Sequence, residues 1–390
     1  MNLSKILRPE IHGFKPYLPG KPIEEVRKKF GLKKIVKLAS NENSLGVSAR
    51  ALGAYLDCGK EIYRYPESSG LNVRKALAEH LKVNLDEIIL GAGSDEIIEL
   101  LGKAFFNKGD NVIVSEHAFI RYKMAADLMG SKTIQVPMKD NKHHLMGMLK
   151  KITPSTKALF IANPNNPTGT YVNRREVNEF FSFLKKRRLS PFIIFDEAYY
   201  EYSKFLSPDY PESLEYFKKG LNLILLRTFS KIYGLAGLRI GYGIMSRELV
   251  LALDRIRPPF NVSIPAQNAA IGALKDQTHV KKSLSLVEEG MNYLTHEFKK
   301  LGVDTLPSSG NFLMVNVFPW KGKEIFLKLM EQGVIVRAID EYGFPNHIRV
   351  TIGLKEENKF FLEKFKMVLK RKKFSTDFNQ KLRTREALKG

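Results

Sequence analysis

A chain of 390 residues, 44% of them hydrophobic and 27% charged, can bury at least one large core, and no stretch approaches the roughly 18 consecutive apolar residues of a membrane span. Cys58 is the only cysteine, which excludes a disulfide framework and a cysteine-rich zinc site; the eight histidines have no ligand spacing, so no metal is expected. The formal charge of +22 would draw anions, but without aromatic–basic interleaving, zinc-finger spacing or a separate helix-turn-helix it reads as a basic, solvated surface, and a nucleic-acid partner is not expected.

Along the chain, Pro9, Glu10, His12, Lys15 and Pro16 interrupt every apolar run in Met1–Gly20, so no signal peptide and a cytoplasmic location are expected. Pro16, Pro19, Gly20 and Pro22 favour extended structure across Leu3–Leu38, a segment that either joins a second domain or forms an arm across a partner subunit. Strands are then expected at Glu87–Leu90, Asn111–Ser115, Thr133–Val136, Ala158–Ala162, Phe192–Phe195, Leu221–Leu226 and Leu238–Ile244. Helical periods lie between them, as in Ser94–Phe106, Arg174–Lys186 and Arg247–Ile256. This alternation is the pattern of an α/β protein with a largely parallel sheet. After Pro258 and Pro259 the rhythm lengthens, with strands near Phe312–Val317, Val334–Arg337 and His347–Ile352, which reads as a smaller second domain. The expected organisation is an N-terminal segment over 1–40, a large domain over 41–262, a small C-terminal domain over 263–370 and a basic tail over 371–390.

Chemistry-bearing residues collect where the strands end, the edge at which open α/β sheets bind ligands. Ala158–Ala162 runs into Asn163-Pro164-Asn165-Asn166-Pro167-Thr168-Gly169, Phe192–Phe195 into Asp196-Glu197-Ala198-Tyr199, and Leu221–Leu226 into Arg227-Thr228-Phe229-Ser230-Lys231. A fourth run, Gly91-Ala92-Gly93-Ser94-Asp95-Glu96, joins a strand to a helix start, where backbone amides attract phosphate. It is no dinucleotide fingerprint, because Glu96 occupies the third glycine position. These types suit pyridoxal phosphate: a lysine amine for the aldehyde, a carboxylate for the ring nitrogen, and cations with amides for the phosphate. Lys231, Asp196 and Arg239 supply them.

These blocks resemble those of fold-type I aminotransferases, and among them the histidinol-phosphate aminotransferase family. The likeness runs from Leu38-Ala39-Ser40-Asn41-Glu42-Asn43 through Tyr63-Arg64-Tyr65-Pro66 to Ile348-Arg349-Val350-Thr351-Ile352-Gly353. It implies a large domain with a mostly parallel seven-stranded sheet, a smaller α/β domain and a homodimer. By resemblance, Lys231 carries pyridoxal phosphate, Asp196 pairs with its ring nitrogen, Asn166 and Tyr199 bond its ring oxygen, and Phe119 stacks on the ring. Ala92, Gly93, Ser230 and Arg239 would hold the phosphate, with Tyr65 reaching it across the dimer interface; Ser94 is either a further phosphate contact or a helix N-cap. Arg349 would take the carboxylate of glutamate and Arg337 the anionic far end of the substrate, unless Arg337 pairs with Asp340 or Glu341, and Asn41 belongs with them at the substrate. The implied reaction passes an amino group from histidinol phosphate to 2-oxoglutarate, giving glutamate. An aromatic amino-acid aminotransferase is the alternative; a threonine-phosphate decarboxylase or a non-catalytic nucleic-acid-binding protein is more remote. The family commonly has proline where this chain has Ser44, and its final helix usually stops before this chain's basic tail.

Overall fold

The computed structural model describes residues 6–14, 20–187 and 190–370, and the basic tail expected over 371–390 lies outside them. Its strands are β1 (Val36–Lys37), β2 (Ile88–Gly91), β3 (Asn111–Ser115), β4 (Lys132–Val136), β5 (Thr156–Ala162), β6 (Phe192–Asp196), β7 (Leu223–Thr228), β8 (Gly241–Ile244), β9 (Phe312–Asn316), β10 (Val334–Ile335), β11 (Arg337–Ala338) and β12 (His347–Thr351). The chain forms two compact units, one made of Met1–Tyr17, Glu42–Glu288 and Leu306–Asn311, the other of Leu18–Asn41, Glu289–Thr305 and Phe312–Gly390.

The first unit holds the seven-stranded sheet, in the order β2-β8-β7-β6-β5-β3-β4. Neighbours are parallel except around β8, which runs antiparallel to both β2 and β7. Strands covered on both faces carry continuous apolar runs, because neither face meets water. Accordingly every residue of β3 and β7 is buried, and the helix Ser94–Phe105 adds Ile97, Ile98, Leu100 and Leu101 to the same core. This unit runs past the expected boundary at 262 to Glu288, within the helix Gln277–Lys300. The cause is packing: the helix Ile264–Leu274, rich in alanine, lies against Ala49–Asp57 and Leu71–Leu81. Gly272 makes that approach possible, since a Cβ there would stand 2.6 Å from the Arg50 carbonyl oxygen.

The second unit contains the antiparallel sheet β11-β12-β9 and the parallel pair β1-β10. Three sequence expectations are corrected by the structure. Leu3–Leu38 is not extended throughout: Ile23–Phe30 is helical, with Pro22 at its N-cap, Glu24 and Glu25 in its first turn, and Gly31 closing it in the left-handed conformation at φ 63°. The strand expected at Val334–Arg337 divides at Val336, so that β10 pairs with β1 while β11 pairs with β12. The strand expected from Leu238 starts only at Gly241, because Ala236–Leu238 is a 3₁₀ turn and Arg239 takes a left-handed φ of 54°. No helix among the described residues is long and apolar enough to cross a membrane.

Candidate active site

The sheet register gathers the polar runs at one edge. Gly91, Gly241 and Thr228 stand side by side at the ends of β2, β8 and β7, and Ala162 stands beside Asp196 at the ends of β5 and β6. Because β8 is antiparallel, its first residue lies at the edge where the parallel strands finish, which brings Arg239 to that edge as well.

Around Gly93 the chain forms a cradle with anion-binding chemistry. Gly93 is the N-cap of the twelve-residue helix Ser94–Phe105, at φ 81°, and a Cβ on it would stand 2.5 Å from Arg239 Nη2. Arg239 Nη1 donates to Ser230 Oγ at 3.4 Å and to the Ala236 carbonyl at 3.1 Å. A guanidinium, a hydroxyl and a helix N-terminus thus converge, and each favours negative charge. Within the cradle the amides divide their work. Ala92 N–H donates to Glu96 Oε2 at 2.7 Å and Gly93 N–H to the Gly91 carbonyl at 2.7 Å, so these two amides brace the turn. The helix's own first amides, beginning with Ser94, are the ones that lack an intrahelical acceptor. Ser94 is the first helical residue and not the cap.

Asp196 is 6% exposed. Tyr122 Oη donates to its Oδ2 at 2.6 Å and Ala198 N–H to its Oδ1 at 3.1 Å. Burial outweighs these bonds and pushes the carboxyl up to about 6. A buried carboxylate so placed gains from a cationic partner. On the next residue, Glu197 Oε2 accepts from Arg227 Nε at 2.9 Å and pairs with Nη2 at 2.9 Å, while the guanidinium carbon lies 3.5 Å from the Tyr200 ring centroid. Tyr122 and this buried ion pair carry no signal in the sequence, beyond an aromatic three residues after Phe119 and a charged residue beside each strand end.

Lys231 is set by its turn: Ser230 N–H donates to Thr228 Oγ1 at 3.0 Å, and Gly234 N–H to the Lys231 carbonyl at 3.0 Å. Its Nζ lies 5.6 Å from the centroid of the Tyr199 ring, which is 4% exposed. Asn166 stands in the loop after β5, where Asn165 Nδ2 donates to Thr168 Oγ1 at 3.0 Å and the Asn163 side chain closes on Val172. Phe119, the N-cap of Ile120–Leu128, meets Tyr122 edge-on with centroids 5.7 Å apart. Tyr65 is 80% exposed and stacks on Phe260 at 4.7 Å, beside Ile62 and Tyr63, which are exposed too.

In the second unit Arg337 and Arg349 are register partners on β11 and β12, so both side chains occupy one face of that sheet. Arg349 Nη2 donates to the Ala39 carbonyl at 2.7 Å and its guanidinium lies 5.5 Å from the Phe312 ring centroid. Arg337 pairs with Glu341. Asn41, at φ 54°, takes a hydrogen bond from Thr351 Oγ1 on its side chain at 3.1 Å and gives its amide to the same oxygen at 2.9 Å.

A cavity of about 1350 Å³ opens at the opposite edge of the seven-stranded sheet, among Lys82, Lys185, Lys218 and Asn222. Lys185 and Lys218 stand in the last turns of their helices, where cations complement the carbonyl ends, which accounts for part of the basic surface.

The family model for aminotransferase class I and II matches residues 33–365. The histidinol-phosphate aminotransferase of Moorella thermoacetica is 43% identical over 363 residues, covering 93% of this chain and 92% of its own length. That of Caldicellulosiruptor saccharolyticus is 42% identical, covering 93% of this chain and all of its own. Among solved structures, the histidinol-phosphate aminotransferase of Sinorhizobium meliloti in complex with pyridoxal-5'-phosphate superposes with a TM-score of 0.82 at 25% identity, covering 93% of this chain and 98% of that one.

Proposed function

We propose, because this chain belongs to the aminotransferase class I and II family, that it transfers the amino group of histidinol phosphate to 2-oxoglutarate through pyridoxal phosphate. The observation that carries this reading is the convergence, at one sheet edge, of an amine on Lys231, a buried carboxylate on Asp196 and the Ser230–Arg239 cradle. The donor set fits the cofactor: Arg239, Ser230 and the Ser94 end of the helix answer a phosphate, and Asp196 answers a protonated ring nitrogen. Ala92 and Gly93 shape that cradle and do not supply its amides. The choice of histidinol phosphate rests on more than 40% identity over nine-tenths of the chain to relatives of that name.

When bound, pyridoxal phosphate supplies an electrophilic carbon and a ring that spreads the electron pair left when the substrate Cα loses its proton. Lys231 Nζ would hold the cofactor at rest and, as a free amine, would carry that proton away from Cα. Asp196 keeps the ring nitrogen protonated, Asn166 and Tyr199 bind the ring oxygen, and Phe119 covers the ring face. The Tyr65 hydroxyl serves the phosphate of a second subunit in a homodimer. Arg349 binds the carboxylate of glutamate and 2-oxoglutarate, with Asn41 beside it. Arg337 exchanges Glu341 for the anionic far end of the substrate.

The reading is tested by an amine-donor panel on purified protein with 2-oxoglutarate as acceptor. Histidinol phosphate is expected to give the highest kcat/KM; higher values for phenylalanine or tyrosine would overturn the substrate, and carbon dioxide released from threonine phosphate would overturn the reaction. Arg349→Ala removes one charge-assisted contact of about 1.5 to 3 kcal/mol, so KM for glutamate and 2-oxoglutarate should rise roughly 10- to 150-fold. Unchanged KM values in steady-state assays would remove that role.

A further inference from the structure

Tyr122 is 1% exposed and lies between two groups assigned to the cofactor ring. Its hydroxyl donates to Asp196 Oδ2 at 2.6 Å, and its ring meets Phe119 edge-on at 82°. Phe160 fixes it from the other side, stacked at 4.7 Å and 9°. Helical spacing produces the arrangement, since Tyr122 follows the N-cap residue Phe119 by three positions on Ile120–Leu128. Burial and the neighbouring carboxylate hold the phenol well above its ordinary range, which keeps it a donor at neutral pH.

We propose that Tyr122 is a positioning residue that orients Asp196, holds it ionised and backs Phe119, so that one side chain fixes both the edge partner and the face partner of the cofactor ring. The proposal rests on the assignment of Asp196 to the ring nitrogen. A carboxylate has about four lone-pair positions. Tyr122 and Ala198 take one on each oxygen, which leaves the carboxylate a lone pair to offer a ring N–H while its plane stays fixed. A bond that favours the ionised form also keeps a buried carboxyl from drifting to its neutral form.

Tyr122→Phe keeps both ring contacts and removes only the donor, so it separates positioning from packing. Two measurements are made on this variant, on Asp196→Asn and on the double variant. The first is the pH dependence of apoprotein unfolding in urea, the second the dissociation constant of pyridoxal phosphate by equilibrium dialysis. Losing one hydrogen bond to a charged group should move the Asp196-linked transition up by roughly one to two pH units in Tyr122→Phe. The transition should be absent from both chains that carry asparagine. Cofactor affinity should fall roughly tenfold or more on the wild-type background and by much less on the Asp196→Asn background. A Tyr122→Phe chain with unmoved transition and affinity overturns the proposal, as does an equal loss on both backgrounds, which marks a packing role. If Asp196→Asn itself changes neither measurement, the assignment of Asp196 fails and takes this proposal with it; if it changes both while Tyr122→Phe changes neither, only the proposal fails.

Discussion

Replacing Lys231 with alanine is expected to slow amino transfer by about 10⁴-fold or more, because it removes the proton carrier and the amine that holds the cofactor together. The turn that presents this residue is made by backbone and by Thr228, so it should survive the substitution. Asp196, Ser230 and Arg239 also remain, and pyridoxal phosphate should still bind, but borohydride should no longer fix it to the chain. Lys231→Arg is expected to be as slow, since a guanidinium keeps its charge and cannot give up its proton. Single-turnover kinetics with the amino donor provide the measurement, with and without a small added amine that stands in for the missing Nζ. A variant that kept more than about a hundredth of the wild-type rate would refute the role of proton carrier.

Much of this site was legible because its residues follow strands whose apolar runs are unmistakable. Asn166, Asp196 and Lys231 each come a few residues after a buried run, and a parallel sheet brings such ends to one edge without further information. Arg239 could be named as a cation for the phosphate, but not the route that takes it there: it precedes a strand, and it reaches the site because β8 alone in the seven-stranded sheet is antiparallel, a matter of long-range pairing. The division of the cradle's amides was hidden for a related reason. Glu96 reads as an ordinary first-turn acid, yet its carboxylate takes the Ala92 N–H and accepts from Asn261, which is distant in sequence. Prolines misled the reading of Leu3–Leu38, where Pro22 stands just ahead of a helix start and Gly31 at its close. The extent of the large unit was obscured by Ile264–Leu274, whose small residues serve close helix packing and look the same in either domain.

Asp196→Asn should act in opposite directions on catalysis and on stability. Without a carboxylate to hold the ring nitrogen protonated, transfer should fall by at least about 10²- to 10³-fold, the range for removing one preorganised electrostatic partner. The apoprotein should nevertheless become more stable at neutral pH. Burial raises this carboxyl from 3.8 to about 6. Below about pH 4 the group is protonated whether the chain is folded or not, and it contributes nothing. Between about pH 4 and 6 the unfolded chain releases its proton first, so stability falls as pH rises, and above 6 the full cost is present, about 3 kcal/mol at 1.36 kcal/mol per unit. Asparagine never ionises, but where aspartate has two acceptor oxygens it has one; with that oxygen on Ala198, its amide nitrogen meets the Tyr122 hydroxyl as a donor and leaves the phenol proton without its acceptor. That loss of about 1 kcal/mol leaves a net gain of about 2 kcal/mol at pH 8, which should vanish or reverse at pH 4. Urea unfolding of apoprotein at the two pH values measures the difference. A gain of equal size at both would separate it from ionisation, whereas a gain confined to pH 8 would mean that the buried charge is kept at a cost to the fold because the reaction needs it.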